Sequence, residues 1–120
     1  MTETIFTKII KKQIPADILF EDDRVLAFKD INPQAPVHFL VIPKKAIATT
    51  NDIQSEDEAL VGYMHHVASM VATQLGVAQE GFRTVMNCNE HGGQTVYHIH
   101  LHVLAGKHLG WPPYQEKLKI

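Results

Sequence analysis

The stretch Tyr97-His98-Ile99-His100-Leu101-His102-Val103-Leu104 decides the reading of this chain. Its residues alternate between histidine and an apolar side chain, and in a β-strand successive side chains point to opposite faces. Read as a strand, His98, His100 and His102 share one face, while Ile99, Leu101 and Val103 share the other and pack inward. Two residues along a strand span about 6.6 Å, which sets the spacing of the imidazoles. A helix would scatter the same rings over several faces, and the β-branched content also favours a strand.

Three aligned imidazoles have three readings. One is a solvated face of an edge strand. The second is a metal site, in which a His-x-His pair supplies two zinc ligands and His38 a third. The third is catalysis: neutral imidazole is a nucleophile, and an ordinary pKa near 6.5 keeps much of it neutral at pH 7. The loop His91-Gly92-Gly93-Gln94-Thr95 runs straight into the histidines. Paired glycines let peptide N–H groups approach a ligand closely, and a concave row of such donors suits phosphate. By itself Gly-Gly marks an ordinary turn; beside three aligned histidines it favours the catalytic reading.

Working outward, the spacing predicts a helix over Ile5–Gln13, capped by Thr4 and stopped by Pro15. Asp17–Glu21 and Arg24–Asp30 read as strands joined by a polar turn. Two prolines keep Asn32–Pro36 irregular. His38–Ile42 is an apolar β-prone run, followed by Lys44-Lys45 as a solvated turn. Ser55–Leu75 reads as the long helix. Ser55 and Glu58 have capping-box spacing, and Gly76 stands where a C-terminal cap belongs. Leu60, Met64, Val67, Ala68, Val71 and Leu75 form its apolar stripe, a core or dimer face. Phe82–Cys88 and Val96–Leu104 complete the strands, and Gly110-Trp111-Pro112-Pro113 opens an irregular tail. This order predicts an α+β fold, an antiparallel sheet carrying helices.

The composition fits one globular domain: 120 residues, 45% hydrophobic and 20% charged. A net charge of −2 argues against broad nucleic-acid binding. One cysteine, Cys88, forms no internal disulfide and suggests a reducing compartment. Met1-Thr-Glu-Thr does not look like a signal peptide, and no apolar run approaches the ~20 residues of a membrane helix. A cytoplasmic protein is expected.

The segment His98–Leu104 matches the histidine-triad signature, His-x-His-x-His followed by two apolar residues. Further matches are Ile5-Phe-Thr-Lys-Ile-Ile, Ile14-Pro-Ala, Glu21-Asp-Asp, Asp30-Ile-Asn-Pro-Gln-Ala-Pro-Val-His38 and Gly92-Gly-Gln-Thr-Val-Tyr-His98. Together these resemble the Hint branch of the histidine-triad (HIT) family over nearly the whole chain. The resemblance implies a HIT-like fold over residues 1–120, with a core to about residue 106 and a tail over 107–120. It implies a five-stranded antiparallel sheet with one long and one short helix, continued across a homodimer. It also implies cleavage of the P–N bond of purine nucleoside 5′-phosphoramidates, adenylylated lysine included, to AMP and an amine, without metal or cofactor.

By the same resemblance His100 is the nucleophile that becomes nucleotidylated. His98 orients it and helps hold phosphate, and His102 contacts phosphate and exchanges protons with His38. Asp30 binds the ribose hydroxyls, with Ile31 beside the base. Asn87, Gly93, Gln94 and Thr95 surround the phosphate and leaving group, and Trp111 shapes the neighbouring subunit's site. Thr95 stands where animal members commonly carry serine, and the tail runs on to Ile120. His65, His66, His91 and His108 receive no role. Three competing readings remain: a dinucleoside polyphosphate hydrolase, a nucleotide-binding interaction module and a zinc-binding protein.

Overall fold

The computed structural model describes residues 3–114. Helix α1 (Ile5–Ile10) leads into β1 (Ile18–Glu21), β2 (Val25–Lys29) and β3 (Val37–Pro43). The long helix α2 (Glu58–Gln74) follows, then β4 (Phe82–Val85) and β5 (Leu101–Ala105). The five strands form one sheet in the order β1-β2-β3-β5-β4, antiparallel at every pairing. This is the expected α+β architecture.

Both faces of the sheet are covered, which is why β2 and β3 read as nearly continuous apolar runs. On one face Ala27, Phe39, Val41, Leu101 and Val103 pack against Met64, Val67, Ala68 and Val71 of α2. On the other, Leu26, Phe28, Leu40 and Ile42 pack against Phe6 and Ile9 of α1. Burial of apolar area at about 25 cal/mol per Å² holds both layers on the sheet.

The helix ends follow their local chemistry. Thr4 Oγ1 accepts the N–H groups of Phe6 and Thr7 and caps α1. The helix stops at Ile10 rather than Gln13, because Lys12 turns to φ 62° and redirects the chain toward Pro15. At the end of α2 Gly76 adopts φ 76°, the conformation that favours glycine. Gly76 N–H then donates to Thr73 O at 3.0 Å, and Val77 N–H to Ala72 O at 3.0 Å. These two bonds make a Schellman cap. Of the predicted stripe, Met64, Val67, Ala68 and Val71 are buried, while Leu75, just past the last helical turn, is exposed.

Several expectations need correction. The Ser55–Glu58 capping box does not form. Ser55–Asp57 is a separate 3₁₀ turn, and the Asp57 carboxylate accepts Gln54 N–H at 2.9 Å and Lys45 Nζ at 2.6 Å. Lys44 and Lys45 are therefore not a free solvated turn: Lys44 Nζ also reaches Glu21 at 2.8 Å. The last strand starts at Leu101, not Val96. Before it the chain follows the sheet without a ladder partner, and Ile99 N–H donates to Ile47 O at 2.8 Å instead. With β5 beginning there, β4 has no partner beyond Val85, so it ends before Cys88.

Candidate active site

Alternation survives the missing ladder. Ile99, Leu101 and Val103 point into the α2 core as expected. His100 and His102 point to the α1 side, where they line a cavity of about 350 Å³. Its apolar wall is built from Phe6, Ile9, Ile14, Pro15, Ala16, Phe28 and Leu40. Asp30, Ile31 and Thr95 lie at the same cavity. The histidine face is thus roofed rather than solvated: His98 is 1% exposed and His100 4%. Phe6 of α1 sits edge-on to both, with ring centroids 6.1 Å from His98 and 4.9 Å from His100.

Main-chain groups determine where each ring proton sits. His100 Nδ1 lies 2.9 Å from the His98 carbonyl oxygen. A carbonyl only accepts, so Nδ1 carries the hydrogen and Nε2 presents its lone pair. His98 Nε2 lies 2.7 Å from Pro43 O, so that nitrogen carries the hydrogen. His38 Nδ1 accepts the Gln34 main-chain N–H at 2.9 Å, which leaves the hydrogen on Nε2. That Nε2–H faces His102 Nδ1 at 2.9 Å and Asp30 Oδ2 at 3.4 Å. His102 therefore accepts at Nδ1 and carries its own hydrogen on Nε2.

Among the described residues, His98 Nδ1 is the one buried side-chain polar atom without a partner. The unbonded Nε2 atoms of His100 and His102 therefore keep access to the cavity. One offers a lone pair and the other a hydrogen. Burial, the largest influence on each, holds all four histidines below the ordinary pKa of 6.5. His102 is lowered to about 4, with neighbouring His100 and His38 adding to the effect. Burial thus favours the uncharged ring, the form a nucleophilic imidazole requires.

The remaining predicted residues divide. Asp30 Oδ1 accepts Asn32 N–H at 2.8 Å, and its carboxylate faces the cavity beside Ile31, which is 95% exposed. Gln94 is 7% exposed and its carboxamide is spent on the loop. Its Oε1 accepts Asn89 N–H at 2.9 Å, and Nε2 donates to Ala48 O at 2.7 Å and Val96 O at 3.0 Å. Asn87 Nδ2 likewise donates to Gly92 O at 2.6 Å. A Cβ on Gly92 would stand 2.4 Å from Cys88 O, so only glycine allows this close approach. Gly93 holds φ 76°. Neither the His98 ring nor the side chains of Asn87, Gln94 and Trp111 line the cavity. Trp111 is 83% exposed, and the segment before it is held by Arg83, whose guanidinium donates to Gly110 O. The tail beyond Tyr114 lies outside the described residues. Gln34, Pro43 and Ala48 carry no signal at the level of residue type, because each acts through its main chain.

Asp30, His38 and His102 each bring a donor atom within 4.8 Å of the others. Two imidazoles and a carboxylate are a familiar metal-ligand set. The surroundings do not fit one. A neutral imidazole bound to metal through Nε2 carries hydrogen on Nδ1 and donates it outward. His38 Nδ1 instead accepts an N–H from Gln34.

Comparison with known proteins shows the family of the chain. Residues 3–111 match the family model described as scavenger mRNA decapping enzyme C-term binding. The purine nucleoside phosphoramidase of Escherichia coli K12 is 55% identical over 108 residues, 90% of this chain and 91% of its own. The chain belongs to the histidine-triad family. An uncharacterised HIT-like protein of Synechococcus elongatus is 53% identical over 111 residues, 92% of this chain and 96% of its own. Among solved HIT structures, the hydrolase from Legionella pneumophila superposes with a TM-score of 0.91 at 48% identity, covering 93% of this chain and all of its own. The histidine-triad protein of Clostridium difficile gives 0.87 at 44%, covering 96% of this chain and all of its own.

Proposed function

We propose that this protein hydrolyses purine nucleoside 5′-phosphoramidates to the nucleoside monophosphate and an amine. The observation that carries this reading is His100: uncharged, with Nδ1 tied to the His98 carbonyl and Nε2 free in the cavity. The E. coli relative named for that activity aligns across the site. The apolar wall suits a base, and Asp30 accepts the ribose hydroxyls.

In the first step the His100 Nε2 lone pair attacks phosphorus. The P–N bond breaks, and the amine leaves with a proton taken from solvent, its nitrogen held by a hydrogen bond from the His102 Nε2–H. In the second step water attacks phosphorus, the P–Nε2 bond breaks, and the water's proton returns to solvent. The monophosphate departs and both rings end as they began. Splitting one displacement into two lowers each barrier. The His102 Nε2–H and loop amides near Gly93 stabilise charge on the phosphoryl oxygens. Thr95 lies beside the leaving group. Two copies pair into a homodimer, placing Trp111 near the partner's leaving-group pocket. The protein works in the cytoplasm, and among its described residues no helix is long and apolar enough to cross a membrane.

The test is turnover of a fluorogenic adenosine 5′-phosphoramidate by wild type and His100→Ala, both treated with chelator. A loss of kcat of at least about 1,000-fold is expected in the variant, in line with removal of a nucleophile. Equal rates would remove His100 from the chemistry. A preference for diadenosine polyphosphates would favour that other hydrolase activity.

A further inference from the structure

The loop Asn32–Pro36 reaches the histidine cluster through a peptide group that controls the proton pattern of two rings. Gln34 N–H donates to His38 Nδ1 at 2.9 Å. The groups facing the opposite nitrogen are His102 Nδ1 at 2.9 Å and the Asp30 carboxylate at 3.4 Å. An amide N–H is a donor under all conditions. A proton on His38 Nδ1 would set two donors against each other inside a ring that is 7% exposed. The carboxylate at the other end independently favours hydrogen on Nε2.

We propose that the Gln34 main-chain amide is a tautomer lock: it holds His38 as a permanent Nε2–H donor to His102, so that His38 is a positioning residue and no proton passes through it. The consequence runs along a chain of two links. His38 Nε2–H occupies His102 Nδ1, and His102 must then keep its hydrogen on Nε2, the atom open to the cavity. Were His38 to give up its Nε2 hydrogen with Nδ1 still accepting, it would become an imidazolate, a buried anion with the Asp30 carboxylate beside it. Were it to gain a proton, it would lose the Gln34 bond. Proton exchange is thereby confined to the cavity, between the substrate and water, and His102 Nε2–H serves there as a hydrogen-bond donor. On this proposal His38 and His102 share a fixed hydrogen bond, in contrast to the proton exchange that the family resemblance implies.

The tautomer claim stands on geometry alone; its catalytic meaning rests on the phosphoramidase reading. The first arm is a long-range ¹H–¹⁵N spectrum of the ligand-free, full-length protein at pH 7.5, with His38→Gln used to assign the His38 signals. The lock predicts an unprotonated Nδ1 and a protonated Nε2 at His38. The reverse tautomer, or a doubly protonated ring, overturns it. The second arm compares His38→Gln with His38→Ala in phosphoramidate turnover. Glutamine places an N–H near the Nε2 position but carries no titrating proton, so it should retain at least about ten times the kcat of the alanine variant. Equal loss in both would make His38 a proton carrier and defeat the proposal. If wild type fails to turn over any phosphoramidate, the functional reading falls while the spectrum still judges the lock.

Discussion

His100 shows how a single ring becomes reactive through its surroundings. Its neighbour's carbonyl fixes Nδ1–H, burial removes the charge, and Phe6 roofs the ring. The same burial makes the four histidines sensors of pH. In the unfolded chain they protonate near 6.5; in the folded chain they do so only at lower pH, about 4 for His102. Between those values the unfolded state binds more protons, so stability rises with pH across the window and is lost as pH falls. It is fully present above pH 6.5. The lowered carboxyl pKa values of Glu21, Asp22 and Asp57 act in the same direction but only below their ordinary values of 4.5 and 3.8. The interval from pH 6.5 to 5 therefore belongs to the histidines. Thermal melts at pH 7.5 and 5.0 should show a lower Tm at pH 5.0 and a smaller drop in His102→Asn. An unchanged Tm in wild type would contradict the burial of neutral imidazoles.

Helix α1 is six residues long, too short to stand by its own hydrogen bonds. It stays because Thr4 caps it and because Phe6 and Ile9 insert between β2, β3 and the histidines. Phe6 also meets Phe28 edge-on at 5.7 Å. Phe6→Ala should cost about 3–5 kcal/mol, the usual range for a buried aromatic. It should also lower kcat, since the His100 ring loses its roof; Phe6→Leu should recover most of the stability. Urea unfolding beside phosphoramidate kinetics checks both. A destabilised Phe6→Ala with wild-type kcat would show that the roof has no catalytic part. The strand ends teach a related lesson. The alternating pattern runs through Val96–Leu104, but only residues 102–105 have neighbours on both sides. Periodicity records which face a residue takes; a ladder also needs a partner strand, and at residues 96–100 there is none.

At the scale of the molecule, β1 and β4 leave two open sheet edges. Unpaired strand edges invite pairing with another chain. Trp111, 83% exposed, and Leu75, 40% exposed, are large apolar side chains at the surface. Light scattering should give twice the 13.5 kDa mass of one chain. A mass of 13.5 kDa across the working concentration range would refute the dimer. Trp111→Ala should alter KM or kcat in a manner that depends on the amine leaving group, with Tm nearly unchanged. A uniform effect across amines would place Trp111 outside the leaving-group pocket.

The order of residues along the chain carried the α+β class, the sheet-forming segments, the two helices with Thr4 and Gly76 at their ends, and the gathering of His100 and His102 on one face. These follow from periodicity and local cap chemistry, which are written into neighbouring residues. The packing of the folded chain set the surroundings of the histidines. It roofed them with Phe6, spent Gln94 and Asn87 on bracing the loop, and turned the His98 ring to Pro43 O. Above all it set the tautomers, through carbonyl and amide groups of His98, Pro43 and Gln34. Every residue but proline carries the same main-chain donor and acceptor, so no residue letter reveals which one will meet a ring nitrogen. That choice is made only when β3, β5 and the loops between them come together in space.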